Sequence, residues 1–188
     1  MDDSPPMFGW LAHKPDTTAT ARDLYGSIVT EARRELYYSV WGVADTPEGR
    51  LELILFTLVP VLIRLEGEGQ AGQKLSRALT ECFVTDMDDN MREMGIGDLT
   101  VPKRVKKAAA ALFDRYRDYS AGLSRPDDGS LAAALAIAFS VSDASPRVEN
   151  LAQRLRSTNA HLARVQATDI LAGRISFPPL QDTHAGDR

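Results

Sequence analysis

Residues 53–63 read LILFTLVPVLI, an almost purely apolar run with Glu52 before it and Arg64 after it. As a helix this run extends about 16 Å, roughly half the thickness of a bilayer core. A helix that is apolar on nearly every face is stable only when other helices surround it. The run therefore predicts a buried central helix that does not cross a membrane, with an interfacial segment as the alternative.

The boundaries of this central helix are marked in the sequence. Thr46 is a good N-cap, Pro47 suits the first helical position, and Glu48 favours the positive end of the helix dipole. Pro60 lies inside the helix and predicts a kink. The glycine-rich run GEGQAG, residues 67–72, is expected to end it.

Five further segments repeat apolar residues at the three- and four-residue spacing of amphipathic helices. They are residues 18–40, 73–94, 102–122, an alanine-rich segment that ends at Val141, and 146–172. In the segment 102–122 the predicted apolar stripe is Val105, Ala109, Leu112, Phe113, Tyr116 and Tyr119. No Asn-Gly hairpin and no sustained period-two run predicts a strand.

The sequence thus predicts an all-α, single-domain bundle of about six helices. A chain of 188 residues is long enough for one domain with its own core. We expect a helical domain at 17–175 between flexible tails at 1–16 and 176–188. Phe8, Trp10 and Leu11 make the first tail partly apolar, so it either docks on a partner or folds back on the core.

Charge and cysteine content exclude several classes of protein. The net charge of −4 argues against a globally basic nucleic-acid binder, and no specific DNA binding is expected. The single cysteine, Cys82, rules out an internal disulfide and a multi-cysteine metal site. Cys82 lies on an apolar stripe without a histidine at helical spacing, so it is interpreted as a structural thiol.

No catalytic pattern is evident. His13, His161 and His184 are isolated from one another, and two of them lie in the predicted tails. The sequence contains no P-loop, no Gly-rich dinucleotide fingerprint and no metalloprotease motif. We therefore predict a protein that is not an enzyme and that binds no cofactor.

Residues 86–107, DMDDNMREMGIGDLTVPKRVKK, begin with acids and end with four bases; we call them the charge-reversal segment. The acids fall at the C-terminal end of one predicted helix and the bases at the N-terminal end of the next. Each exposed charge is at the unfavourable end of its helix dipole, at a cost of about 0.3–1 kcal/mol in low salt. Either the two ends neutralise each other across the turn, or the strip meets a partner.

A calcium loop is not a good interpretation of this segment. Asp86, Asp88 and Asn90 match the first three ligand positions of an EF-hand loop. The sixth position, which needs glycine, is Met91, and the twelfth, which needs glutamate, is Gly97. The sequence therefore predicts no metal site here.

Three segments in order resemble the ubiquinol–cytochrome c chaperone family: YYSVWGVADTPEGRLELILFTLVPVLIRL, FVTDMDDNMREMGIGDLTVPKRVKK and FDRYRDYSAGL. The family pattern contains Asp-Thr-x-x-Gly-Arg, an apolar helix ending in Arg-Leu, Asp-Met-Asp, Arg-Glu-Met-Gly-x-Gly-Asp and Val-Pro-Lys. The matching residues are Asp45, Thr46, Gly49, Arg50, Arg64, Leu65, Asp86, Met87, Asp88, Arg92, Glu93, Met94, Gly95, Gly97, Asp98, Val101, Pro102 and Lys103. The resemblance covers about residues 33–125.

The resemblance departs from the family at two places. The family usually has a histidine near the middle of the apolar helix, where this chain has Phe56 and Thr57. A role for that histidine is therefore not carried over. The chain beyond Ala121 matches weakly, and its role is unassigned.

The resemblance implies a non-enzymatic chaperone that binds newly made cytochrome b and promotes assembly of the respiratory ubiquinol–cytochrome c reductase. Mitochondrial members work with a small partner protein at the ribosome. The small partner protein and the ribosome are therefore both candidate partners. The start of the chain is acidic and does not look like a transit peptide, so we expect a bacterial-type member. Such a protein is expected in the cytoplasm, with peripheral association with the inner membrane as a further expectation.

The family blocks place a predicted partner-binding face on the charge-reversal segment. Its charged members are Asp86, Asp88, Arg92, Glu93, Asp98 and Lys103. Met87, Met91 and Met94 either contribute adaptable contacts or belong to the core. Gly95, Gly97 and Pro102 are expected to set the turn. The alternative function is a helical ribosome- or RNA-binding module, or a general protein-interaction module, that uses the basic patch Lys103, Arg104, Lys106 and Lys107.

Overall fold

The computed structural model describes residues 16–125, 129–142 and 145–180, which contain helices and no strand. The helices are α1 (Thr17–Ala32), α2 (Leu36–Ser39), α3 (Pro47–Glu66), α4 (Gly69–Glu93), α5 (Val101–Leu123), α6 (Gly129–Ala138), α7 (Pro146–Leu162) and α8 (Ala167–Ile170). The predicted all-α bundle is confirmed. Six of these helices correspond to the six predicted segments, while α2 and α8 are single turns.

Helix α3 lies at the centre of the bundle. It packs against α1, α4, α5 and α7, and its residues 53–62 are all buried. This confirms the buried central helix that the apolar run predicted. None of the described helices is both long and apolar enough to cross a membrane.

The start of α3 explains the Asp-Thr-x-x-Gly-Arg block. The Thr46 hydroxyl accepts a hydrogen bond from the Gly49 amide at 3.1 Å, and Asp45 forms an ion pair with Arg50 at 2.6 Å. A side chain on Gly49 would place its Cβ 2.0 Å from the Ala44 carbonyl oxygen. The block therefore caps α3, and its glycine is required by the close approach of the backbone.

The first predicted helix, residues 18–40, is wrong as a single helix. It breaks after Ala32, and a separate turn, α2, begins at Leu36. The break allows the Tyr37 hydroxyl to donate to the Glu31 carboxylate at 3.2 Å. Residues six apart lie on different faces of a continuous helix, so this contact requires the chain to turn.

The boundaries of α4 and α7 also differ from the prediction. Helix α4 begins at Gly69, so only a short turn, not the whole of residues 67–72, separates it from α3. Helix α7 ends at Leu162 and not at 172. Arg64 donates to the carbonyls of Leu162 at 3.1 Å and Val165 at 2.8 Å, at and just beyond this end. Arg64 thus supports backbone oxygens at the place where the helix stops.

A buried ion pair joins α1 to α7. Arg154 bonds Glu31 at 2.6 Å, and the two side chains are 4% and 7% exposed. The same guanidinium donates to the carbonyls of Pro178 at 2.7 Å and Pro179 at 3.2 Å. The segment 174–180 therefore lies against the bundle, past the predicted start of the C-terminal tail at residue 176.

The rest of the domain division stays a prediction. Residues 1–15, with Phe8, Trp10 and Leu11, and residues 181–188 lie outside the described part of the chain. The kink expected at Pro60 also stays a prediction, since Pro60 is simply found inside α3.

Candidate functional site

The charge-reversal segment is formed by the end of α4, a turn and the start of α5. Gly95 follows α4 with a φ of +72°, its amide bonds the Arg92 carbonyl at 2.9 Å, and the Ile96 amide bonds the Met91 carbonyl at 3.1 Å. These two bonds form a Schellman motif, which needs a left-handed residue at this position. Gly95 therefore ends α4 and sets the turn, as expected from the sequence.

Arg92 fixes the turn that follows. Its Nε lies 2.5 Å from Asp88 Oδ2 in the same helix, and its Nη1 lies 2.7 Å from Asp98 Oδ1 beyond the glycines. Asp98 is 88% exposed and Arg92 is 48% exposed, so water screens both. Exposed pairs of this kind contribute little to folding stability. The bridge positions three charged groups without being needed for the core.

Asp86 and Met87 face the bundle instead of the surface. The Tyr25 hydroxyl donates to Asp86 Oδ2 at 2.8 Å. Burial raises the pKa of Tyr25, and the bond to the Asp86 carboxylate raises it further. Met87 is 7% exposed and belongs to the core. Met87 is therefore not available to a partner, whereas the partly buried Asp86 stays a predicted contact.

The other two methionines divide differently. Met91 is partly buried and packs against the core, whereas Met94 is 56% exposed. Glu93 is exposed beside Met94 at the end of α4. Of the three methionines predicted as contacts, Met94 is therefore the one that a partner can reach fully.

The bases of the segment form no ion pairs with its acids. Within the described residues none of Lys103, Arg104, Lys106 and Lys107 forms an ion pair. Asp86 accepts a hydrogen bond from Tyr25, and Asp88 and Asp98 bond Arg92 instead. Partial neutralisation of the two helix ends across the turn therefore has no direct ion pair behind it and stays a prediction. Unpaired bases at the start of a helix reduce its stability slightly, so the fold does not explain them.

The fold requires glycine at position 95 but not at position 97. Gly95 needs its left-handed backbone, although a Cβ there would touch nothing within 4 Å. Gly97 has neither a positive φ nor any atom within 4 Å of a Cβ placed on it. The fold would accept a side chain at Gly97, so the backbone at this position is open to a partner.

We define the docking face as the exposed part of this site. Its exposed members are Arg92, Glu93, Met94, Gly97, Asp98 and Lys103, and the partly exposed Asp88 joins them through its ion pair with Arg92. Pro102 lies exposed in the first turn of α5, where its missing amide hydrogen is not needed.

The sequence prediction placed one exposed residue in the core. Phe113 was assigned to the apolar stripe of α5 but is 78% exposed, while its neighbour Leu112 is 4% exposed. Leu99, at the turn before α5, is 98% exposed. The angular positions of adjacent residues differ by about 100° around a helix axis, so Phe113 lies at the edge of the apolar stripe. Packing against the other helices decides whether a residue at this edge is buried or exposed.

The remaining candidate positions have structural roles. The Thr57 hydroxyl, near the position of the family histidine, is buried and donates to the Leu53 carbonyl at 2.9 Å. Cys82 is partly buried against the core, and burial raises the pKa of its thiol. A raised pKa reduces the thiolate fraction, which agrees with a structural thiol.

Among the described residues, no three His, Cys, Asp or Glu side chains are grouped to hold a metal ion.

The model of the family described as "Ubiquinol-cytochrome C chaperone" matches residues 39–177. The chain belongs to this family. The match spans α3, both helices of the charge-reversal segment and α7. It therefore extends the similarity well beyond residue 125, where the sequence blocks end.

A solved structure supports the same family. The crystal structure of the Cbp3 homolog from Brucella abortus superimposes with a TM-score of 0.78 at 32% identity. The similarity covers 87% of this chain and 91% of that one.

Two curated relatives carry the name "Ubiquinol-cytochrome c reductase complex assembly factor 1". They come from Mus musculus and Homo sapiens, and each is 23% identical over 159 residues, or 84% of this chain. The chain spans about half the length of these relatives, 54% and 53% respectively.

The structure divides the family blocks into two groups. Asp45, Thr46, Gly49 and Arg64 cap helices or support backbone, so the fold accounts for them. The Arg-Glu-Met-Gly-x-Gly-Asp block is mostly exposed, and apart from Gly95 the core does not use it. The second group is where a shared binding function is best sought.

Proposed function

We propose that this chain holds newly made cytochrome b while the ubiquinol–cytochrome c reductase is assembled, and that it does so without catalysing a reaction. The observation that carries the proposal is the family match over residues 39–177. The names of the two mammalian relatives, as assembly factors of the same complex, support it. Interactions with a small partner protein or the ribosome stay predictions.

We further propose that the client binds the docking face. An interface needs charged groups to orient the partner and contact surface that excludes water. Arg92 presents two carboxylates in fixed positions, and Met94 offers a flexible apolar side chain beside them. Methionine adapts to varied apolar surfaces, which suits a client whose helices are not yet packed.

Arg92→Glu is expected to weaken capture of cytochrome b roughly 30-fold. The change places a carboxylate between Asp88 and Asp98 and removes both ion pairs. Losing a charged contact across an interface costs about 2 kcal/mol or more, which corresponds to this factor. The measurement is affinity capture of the tagged protein from gently solubilised membranes of its source, with cytochrome b quantified. Asp98→Lys is the second test variant.

Arg174→Glu is the matched control for this experiment. Arg174 forms an exposed ion pair with Asp169 at 2.7 Å, just after Gly173 with its φ of +78°, so it reproduces the local arrangement elsewhere. The control should capture cytochrome b as the wild type does. No cytochrome b with the wild type would refute the proposed function. Equal capture by wild type, Arg92→Glu and Asp98→Lys would refute the docking face alone.

A further inference from the structure

The exposed side of α5 carries apolar side chains that the fold does not use. Phe113 is 78% exposed and Leu99, just before the helix, is 98% exposed. The opposite side of the helix is buried through Val101, Leu112 and Tyr119. The side of α5 that packs on the bundle is therefore already apolar, and Phe113 and Leu99 lie outside that contact.

These apolar residues share one face with lysines. Lys103, Lys106, Ala110 and Phe113 follow each other at intervals of three or four residues, which places them in one row on α5, and this row continues to Leu99 in the turn just before the helix. All five are exposed. We call this row the outer face of α5.

Four bases lie on and beside the outer face where α5 begins: Lys103 and Lys106 belong to the row, and Arg104 and Lys107 flank it. Lys103, Arg104, Lys106 and Lys107, with Thr100 and Ala110, line a surface groove of about 490 Å³. In the described part of the chain these four bases have no carboxylate partner. Three acids close to them in the sequence have other partners: Asp98 pairs with Arg92, and Asp114 and Asp118 pair with Arg117. A chain with a net charge of −4 thus presents a cluster of four free cations.

We propose that the outer face of α5 docks on an anionic phospholipid surface. Basic side chains would meet the lipid phosphates, and Leu99 and Phe113 would enter the boundary between headgroups and acyl chains. A helix with lysines beside exposed Leu and Phe is typical of elements that lie in the plane of a bilayer interface. Charge complementarity identifies the partner as anionic.

The apolar pair favours lipid over RNA as that anionic partner. Single-stranded nucleic acid uses basic grooves with aromatic side chains on which bases stack. Leu99 has no aromatic face for stacking, yet among the described residues it is the most exposed of the large apolar side chains. A bilayer rewards burial of leucine and phenylalanine alike.

This inference goes beyond the proposed function, because lipid docking requires no client. The outer face meets the docking face at Leu99 and Lys103, so a membrane-bound molecule would hold its docking face beside the bilayer. The two proposals fail separately. Vesicle binding is measured with the purified full chain alone, whereas capture of cytochrome b is measured in detergent.

The test is flotation of the purified protein with vesicles of phosphatidylcholine alone or of phosphatidylcholine mixed with phosphatidylglycerol. We expect binding to the mixed vesicles, and weakening by salt. Each base near an anionic surface strengthens binding about fivefold, so Lys106→Gln with Lys107→Gln should weaken it roughly 25-fold. Phe113→Ser should weaken it about tenfold through lost apolar burial.

Two further variants make the test specific. Lys74→Gln with Arg77→Gln removes the same charge from exposed positions on α4 and should bind vesicles as the wild type does. A tryptophan introduced by Phe113→Trp should shift its emission to the blue with the mixed vesicles and not with phosphatidylcholine alone.

Three results would overturn the proposal: no flotation with the mixed vesicles, equal weakening by the α4 control, or an unchanged emission from Phe113→Trp. Tight, salt-sensitive binding to polyuridylate without vesicle binding would assign the face to RNA instead.

Discussion

Replacing Arg154 by methionine is expected to lower the free energy of unfolding by about 3–5 kcal/mol. Arg154 is the cation of a buried pair, and its removal leaves Glu31 buried with the Tyr37 hydroxyl and a long contact to Arg34 at 3.5 Å. An uncompensated buried carboxylate is far more costly than a missing surface ion pair. The loss also frees the carbonyls of Pro178 and Pro179. Chemical denaturation of wild type and variant measures the difference.

The double variant Glu31→Met with Arg154→Met separates the charge effect from general damage to the core. Removing both charges leaves no buried ion without a partner, so the double variant should be more stable than Arg154→Met alone. A cost below about 1 kcal/mol for Arg154→Met would contradict the account. It would mean that Glu31 finds water or another partner once Arg154 is gone.

Replacing Phe56 by alanine is expected to cost about 3–5 kcal/mol of unfolding free energy. Phe56 is 2% exposed near the middle of α3. Its ring meets those of Tyr37, Tyr119 and Phe139 edge to face, with centroids 6.2, 6.5 and 5.9 Å away. The substitution therefore leaves a cavity where elements from three parts of the chain meet, and it removes all three aromatic contacts.

Phe113→Ala is the matched control, because it removes the same side chain from a site that is 78% exposed. We expect it to change the unfolding free energy by less than about 0.5 kcal/mol. Thermal or denaturant unfolding of both variants provides the comparison. Similar losses for Phe56→Ala and Phe113→Ala would contradict the assignment of α3 as the centre of the core.

Local signals in the sequence were sufficient to predict most of the fold. The apolar run 53–63 predicted a buried central helix, and Thr46 with Pro47 placed its start. These signals act over a few residues and need no information about the rest of the chain.

The differences arise where distant residues meet. The first helix breaks where Tyr37 turns back to Glu31, which Arg154 also bonds from 123 positions away in the sequence. Helix α7 stops where Arg64, about 100 positions earlier, bonds the carbonyls of Leu162 and Val165. Helical periodicity within a single segment does not show such contacts, because the partner lies in another part of the chain.

The turn that carries the candidate site could be predicted, but not which of its residues are exposed. The Arg-Glu-Met-Gly-x-Gly-Asp block located the turn, and Gly95 within it was expected to set the turn. The sequence did not separate buried Met87 from exposed Met94, since all three methionines fall on one helical stripe. How deeply a side chain on such a stripe is buried depends on where the neighbouring helices end.

The most direct test of the central claim is capture of cytochrome b by Gly97→Trp. The fold leaves open space at Gly97, so the variant should unfold like the wild type while its indole blocks the docking face. Gly26→Trp is the control, because Gly26 is an exposed glycine with equally open space on α1. Capture from gently solubilised membranes should fall at least about tenfold with Gly97→Trp, equivalent to about 1.4 kcal/mol, and stay at the wild-type level with Gly26→Trp. Undiminished capture by a folded Gly97→Trp would show that cytochrome b does not bind at this face.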